Sequence, residues 1–172
     1  MLYTKTPTDL NGAFEIKEAT FDDYKAMIPE AVILQLAEEC LFSKINNGEV
    51  LCDLYWVKKY LSAKIATNER EVFGILVLDA QNRLITDEIL FQGSLDSSRV
   101  YPREVLKCVM KHNGKYCIAY HNHPSGDPDP SQSDRQLTTT LVNALQLIDC
   151  KMLDHLVIGV EGIVSFIEKK WM

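Results

Sequence analysis

Lys115-Tyr-Cys-Ile-Ala-Tyr120-His121-Asn-His123-Pro124-Ser-Gly-Asp-Pro-Asp-Pro130-Ser131-Gln-Ser-Asp134 runs from strand to loop to helix without a gap. Its first six residues are short, mostly apolar and β-prone, which predicts a buried strand ending at the histidine pair. Alternate residues of an extended segment face the same way, so His121 and His123 converge on one point. Three prolines and a glycine then exclude helix and central strand and predict a rigid turning loop. Such a loop can fold Asp134, eleven residues past His123, back toward the imidazoles. Two nitrogens and one oxygen suit a single zinc ion with a fourth position open to water. Iron, nickel or manganese would also accept that donor set.

Each member has a plainer account. A lone histidine is more often packed or solvated than a ligand, although two at this spacing beside a proline-rich loop are harder to dismiss. Ser131-x-x-Asp134 ahead of an apolar helix is close to a capping box, the serine capping and the acid reaching back. On those two residues alone the cap is the better account. The complete set favours the ligand.

Outward from this stretch, helices and strands interleave. Upstream, apolar residues Val32, Ile33, Leu36, Ala37, Cys40 and Leu41 recur at helical spacing over 31–43, and Asn46-Asn47-Gly48 ends that helix. Asp53 offers an N-cap for a helix over 54–65. Val72-Phe-Gly-Ile-Leu-Val-Leu78 reads as a strand covered on both faces, with a hairpin partner over 83–90. Pro102 opens a helix that Asn113-Gly114 closes. Downstream, Ser131 begins a helix to about Leu147, a strand covers 152–160, and 163–167 can hairpin back across Glu161-Gly162. A mixed α/β sandwich with a central sheet fits this order. Residues 1–30 predict an irregular arm or a peripheral strand. The expected division is an N-terminal arm and helix over 1–50 and one domain over 51–172.

An apolar content of 47% and a charged content of 24% belong to an ordinary globular protein, and 172 residues allow one domain with its own core. No run approaches the ~18 apolar residues of a membrane span, and the first residues lack a signal-peptide pattern, so a cytoplasmic location is expected. Five cysteines without a Cys-x-x-Cys pair indicate neither a zinc knuckle nor a redox site. Most of them sit among apolar residues and read as small hydrophobes. A net charge of −6 and no Lys/Arg block argue against nucleic-acid binding driven by counterion release.

Hydrolysis at such a centre needs a base. Glu71, at the mouth of the apolar strand, is the best-placed candidate, although an exposed strand-end charge explains it as well and Glu69 would serve that role equally.

Taken together, Glu71-Val-Phe-Gly-Ile-Leu and His121-x-His123-x7-Ser131-x2-Asp134 resemble the JAMM (MPN+) metalloprotease motif. Tyr101-Pro-Arg-Glu104, His121-Asn-His-Pro-Ser-Gly-Asp127 and Leu153-Asp-His-Leu-Val-Ile-Gly159 are similar to bacterial RadC-like proteins over about 31–172. The resemblance implies a JAB/MPN-like α/β (α+β) fold, a central mixed β-sheet flanked by helices in a three-layer, cytidine-deaminase-like arrangement. It implies one zinc per chain on His121, His123 and Asp134, Glu71 as general acid/base and Ser131 as a stabiliser of the oxyanion. The implied activity is a metallopeptidase cutting a peptide or isopeptide bond in a protein or peptide substrate. A non-catalytic metal-binding scaffold is the alternative, and a homodimer is left open. The family's DNA-repair label implies an accessory role, but residues 1–60 show no helix-hairpin-helix region and direct DNA binding is not expected. Asp154-His155 matches a family-typical pair, yet a histidine hydrogen-bonded at a strand start accounts for it. Asn122 and Ser125 are expected to shape the loop by bonding their own backbone. Arg103 and Glu104 read as a surface pair, with Arg99 and Arg103 as alternative guides for an acidic substrate.

Overall fold

Val72–Leu78 contains no polar side chain, and such a strand is stable only where both its faces are covered. The computed structural model shows that arrangement and describes residues 28–46, 54–93 and 100–172, with the backbone of the strands at 3–7 and 14–18. The elements are β1 (Tyr3–Pro7), β2 (Phe14–Glu18), α1 (Glu30–Ile45), α2 (Leu54–Ile65), β3 (Val72–Leu78), β4 (Leu84–Gln92), α3 (Pro102–Lys111), β5 (Tyr116–Asn122), α4 (Gln132–Gln146), β6 (Lys151–Gly159) and β7 (Gly162–Ser165).

The chain divides into two units, Met1–Glu39 and Cys40–Met172, with the boundary inside α1. In the first unit β1 and β2 pair antiparallel, Tyr3 opposite Glu18 and Pro7 opposite Phe14. Two paired strands thus stand where an irregular arm or one peripheral strand was expected. The Asp53 cap lies outside the described residues.

The second unit is built on a five-stranded sheet in the order β4-β3-β5-β6-β7. β5 and β6 run parallel, and the remaining neighbours are antiparallel. β3 sorts its side chains by parity. Phe73, Ile75 and Val77 join Val105, Val109, Leu141 and Leu145, buried apolar residues of α3 and α4. Leu76 and Leu78 join Val57, Tyr60, Leu61 and Ile65 of α2 and the end of α1. The result is a helix–sheet–helix sandwich, the expected mixed α/β class.

Two details position the site. Gly74 faces the Tyr120 ring so closely that a Cβ would lie 2.3 Å from its hydroxyl, so only glycine leaves room there. That hydroxyl bonds Asp87 on β4 at 2.5 Å, as do Tyr60 and Lys64 of α2, which ties β3, β4, β5 and α2 together. α1 departs from expectation. Leu41, Phe42 and Ile45 reach the core, whereas Val32, Ile33 and Leu36 are 42%, 38% and 55% exposed. With Leu34 also apolar, these residues encircle the helix instead of forming one stripe, so helical spacing alone does not assign them to a core.

Candidate metal centre

β5 extends to Asn122, two residues beyond the expected end, because the sheet continues on both sides of it. His121 lies within the sheet, opposite Phe73 on β3 and Val157 on β6, and is 1% exposed. His123 has left the ladder, but its amide still donates to the Ile158 carbonyl at 2.8 Å. The proline-rich loop then folds back over the end of β6. The Gly126 amide bonds the His123 carbonyl, and the Glu161 amide bonds the Gly126 carbonyl. A Cβ on Gly159 would stand 2.0 Å from the Gly126 carbonyl oxygen, so the loop's close approach requires glycine there.

The loop delivers Ser131 as the N-cap of α4, in a complete capping box with Asp134. The Ser131 amide and hydroxyl both donate to Asp134 Oδ2, at 2.8 and 2.6 Å. The cap does not use up the carboxylate. Asp134 Oδ1 stands 3.5 Å from His121 Nε2, and Oδ2 stands 3.5 Å from His123 Nε2. The cap and the convergence on the histidines therefore coexist.

The protons on the two rings follow from their partners. His123 Nδ1 lies 2.9 Å from the Asp127 carbonyl, which can only accept, so Nδ1 carries a proton. The two Nε2 atoms are 3.1 Å apart. Two lone pairs at that distance repel unless a proton or a cation lies between them, and the nearby carboxylate favours either. These donor atoms lie within 4.8 Å of one another, so the residues present fit a small divalent cation.

The electrostatics separate the two histidines. Burial pushes the His121 imidazole down to about 4, aided by His123 and opposed by Asp134. The Asp134 carboxylate raises His123 above the ordinary histidine range, with smaller support from the Asp127 carbonyl and the Glu71 charge. Burial works against the charge on Asp134, yet His123, His121 and Ser131 hold its carboxyl well below the usual carboxylate range. At a pH below the raised His123 value, a metal displaces one proton, from His123, because His121 is already neutral. Affinity should therefore rise with pH by about tenfold per unit in that range, a second proton entering only near pH 4. Calorimetric titration in buffers of different ionisation enthalpy checks this; release of two protons per zinc near pH 6 would contradict it.

Glu71, immediately before β3, lines the same cleft of about 510 Å³ as His121, His123, Ser131 and Asp134, with Phe73, Val100 and Leu137 as apolar walls. Its segment is held by Asn122. That side chain is fully buried and bonds not its own loop, as expected, but the chain on either side of Glu71. Asn122 Oδ1 accepts from the Val72 amide at 2.8 Å, and Nδ2 donates to the Asn68 and Arg70 carbonyls at 3.1 and 3.3 Å. Sequence pattern missed this role because Asn122 was placed in a loop rather than at the end of β5. Arg103 pairs with Glu104 at 3.1 Å on the surface, and Arg99 lies outside the described residues.

Another group of potential ligands, Glu88, Cys108 and His112, sits between β4 and α3. There His112 Nε2 already meets Glu88 at 2.5 Å, Lys111 stands 3.3 Å away, and burial pushes the Cys108 thiol up to about 11. An ion pair beside a protonated thiol accounts for that cluster. A larger hollow of about 680 Å³ between α4 and β6, lined by Val142, Met152 and Trp171, contains none of the ligand residues.

Comparison with known proteins identifies the family. The sequence model of the RadC-like JAB domain matches residues 53–171. A UPF0758 protein of Vibrio atlanticus is 40% identical over 168 residues, 95% of this chain and 75% of the relative. A UPF0758 protein of Vibrio cholerae serotype O1 is 46% identical over 143 residues, 83% of this chain and 90% of the relative. The chain belongs to the RadC-like JAB domain family. The domain fits a hydrolase superfamily and suggests a metal-binding site, for which His121, His123 and Asp134 are a candidate ligand group. Among the described residues, no helix is long and apolar enough to cross a membrane.

Proposed function

We propose that the chain is a zinc-dependent hydrolase of amide bonds, peptide or isopeptide, with a protein or peptide substrate. The observation that carries this reading is the pair of Nε2 atoms 3.1 Å apart, facing Asp134 in a cleft that Glu71 also lines. His121, His123 and Asp134 would hold one zinc. When bound, the ion supplies a Lewis acid that polarises the scissile carbonyl and makes water a nucleophile near neutral pH. Glu71 takes the proton of the attacking water and delivers it to the leaving nitrogen. The Ser131 hydroxyl turns its proton from Asp134 to the carbonyl oxygen as that atom gains charge. The helix cap survives this rotation through the Ser131 amide bond to Asp134.

Metal analysis of the purified chain should find one zinc per molecule, and His123→Ala should abolish stoichiometric binding. Equal metal content in the two proteins would overturn the site.

A further inference from the structure

His121 touches a buried partner on the side away from the cleft. Its Nδ1 lies 2.9 Å from His155 Nε2, and His155 Nδ1 lies 2.6 Å from Thr138 Oγ1. Thr138 in turn donates to the Asp134 carbonyl at 2.7 Å. His121, His155 and Thr138 are 1%, 0% and 2% exposed, so solvent does not supply alternative partners. The three contacts form a circuit from a strand-borne histidine, through β6, to the helix that carries Asp134.

The direction of every proton in this circuit is set at one end. A carbonyl only accepts, so the single Thr138 proton points at Asp134. Thr138 Oγ1 must then accept from His155 Nδ1–H, which leaves a lone pair on His155 Nε2. That lone pair accepts from His121 Nδ1–H, and the remaining His121 lone pair lies on Nε2, facing His123 and Asp134. In the reverse order Thr138 donates to His155, and a proton arrives on His121 Nε2, where it blocks a cation. The reverse order also sets two oxygen lone pairs, on Thr138 and Asp134, against each other at 2.7 Å.

We propose that His155 and Thr138 are positioning residues that fix His121 in its Nδ1–H tautomer and couple the orientation of His121 to that of Asp134. The inference rests on the zinc-site reading above. Other contacts hold the relay in place. The His155 ring stacks on Phe166 at 4.9 Å and meets Phe73 edge-on at 5.8 Å. The Asp154 carboxylate accepts from the His155 amide, the Ser165 hydroxyl and the Ile167 amide, which ties the middle of β6 to the end of β7 and the residues after it. Asp154 is therefore structural. His155 does more than satisfy the core, because among the described residues its side chain bonds a proposed ligand and the helix bearing another.

The test uses the full chain and zinc alone, titrated against a chromophoric chelator. Thr138→Val keeps the shape and removes the acceptor, and affinity should fall ~10–100-fold, whereas Thr138→Ser should stay within about threefold of wild type. His155→Phe should lose about as much as Thr138→Val, and the double variant should lose no more than His155→Phe alone, since Thr138 acts through His155. In zinc-free protein, ¹⁵N NMR should show His121 protonated at Nδ1 in wild type and as a tautomer mixture in Thr138→Val. A Thr138→Val protein that is folded, binds zinc within about twofold of wild type and keeps the wild-type tautomer would overturn the proposal, as would additive losses in the double variant. If wild type itself binds no zinc, the metal reading fails, and the zinc-free tautomers still decide whether the circuit exists.

Discussion

Glu71→Gln is expected to lower amide hydrolysis by ~10²–10⁴-fold while zinc content stays at one per chain. Glutamine keeps the length and shape of the side chain and its place in the cleft, but it cannot take a proton from water. His121, His123 and Asp134 form the ligand group, and Glu71 is not among them, so the metal should remain. The substitution has a second, smaller signature. Glu71 is one of the charges that raise His123, so its loss should lower the His123 pKa, which NMR titration of the zinc-free protein reads. Turnover on a panel of peptide and isopeptide substrates, run beside zinc analysis, provides the measurement. Inactivity of wild type and variant alike across the panel would favour a metal-binding scaffold, and unchanged turnover in the variant would remove Glu71 from the chemistry.

The parts of this fold that were legible in the sequence are those where one physical constraint dominates. Val72–Leu78 has no polar residue and could only be a covered strand, and it is fully buried. Pro102 and Asn113-Gly114 bracket a helix in sequence, and α3 runs from Pro102 to Lys111, with Asn113 in the left-handed conformation at φ 53. The facing of His121 and His123 was also legible, because alternate residues of an extended segment share a side, whereas Asp134 read locally as a helix cap and joined the ligands only when the whole set was considered. Less legible was what lies across the sheet. Asn122 occupies the face of β5 opposite the histidines and reaches a segment fifty residues upstream, a contact no local pattern encodes. The His155–Thr138 circuit likewise joins β6 to α4, and the sequence reveals only that a histidine follows an aspartate. At the other end of the chain, α1 carries apolar residues on all sides, so spacing could not separate its packed end from its exposed one.

Asn122→Ala should destabilise the folded chain by on the order of 3 kcal/mol and lower hydrolysis, while the zinc ligands keep their affinity. One buried amide holds three backbone groups, and two of them, the Arg70 carbonyl and the Val72 amide, belong to the residues flanking Glu71. Truncation leaves the Val72 amide without its acceptor in a site that water does not reach, and the carboxylate loses its fixed approach to the cleft. The ligands are spared because His121 and His123 face the other side of the strand. Asn122→Asp makes a sharper comparison. It preserves shape and still accepts from the Val72 amide, but at neutral pH it sets a buried carboxylate 3.1 and 3.3 Å from two carbonyl oxygens. Its folded-state pKa is thus raised above the unfolded value, so stability is present at low pH and lost as pH rises through the folded pKa. Urea denaturation at pH 5 and pH 7 should show the aspartate variant recovering stability in acid and the alanine variant not. Zinc titration and hydrolysis on the same proteins divide the two roles of Asn122. Wild-type turnover in a destabilised alanine variant would mean that Asn122 holds the fold and not Glu71.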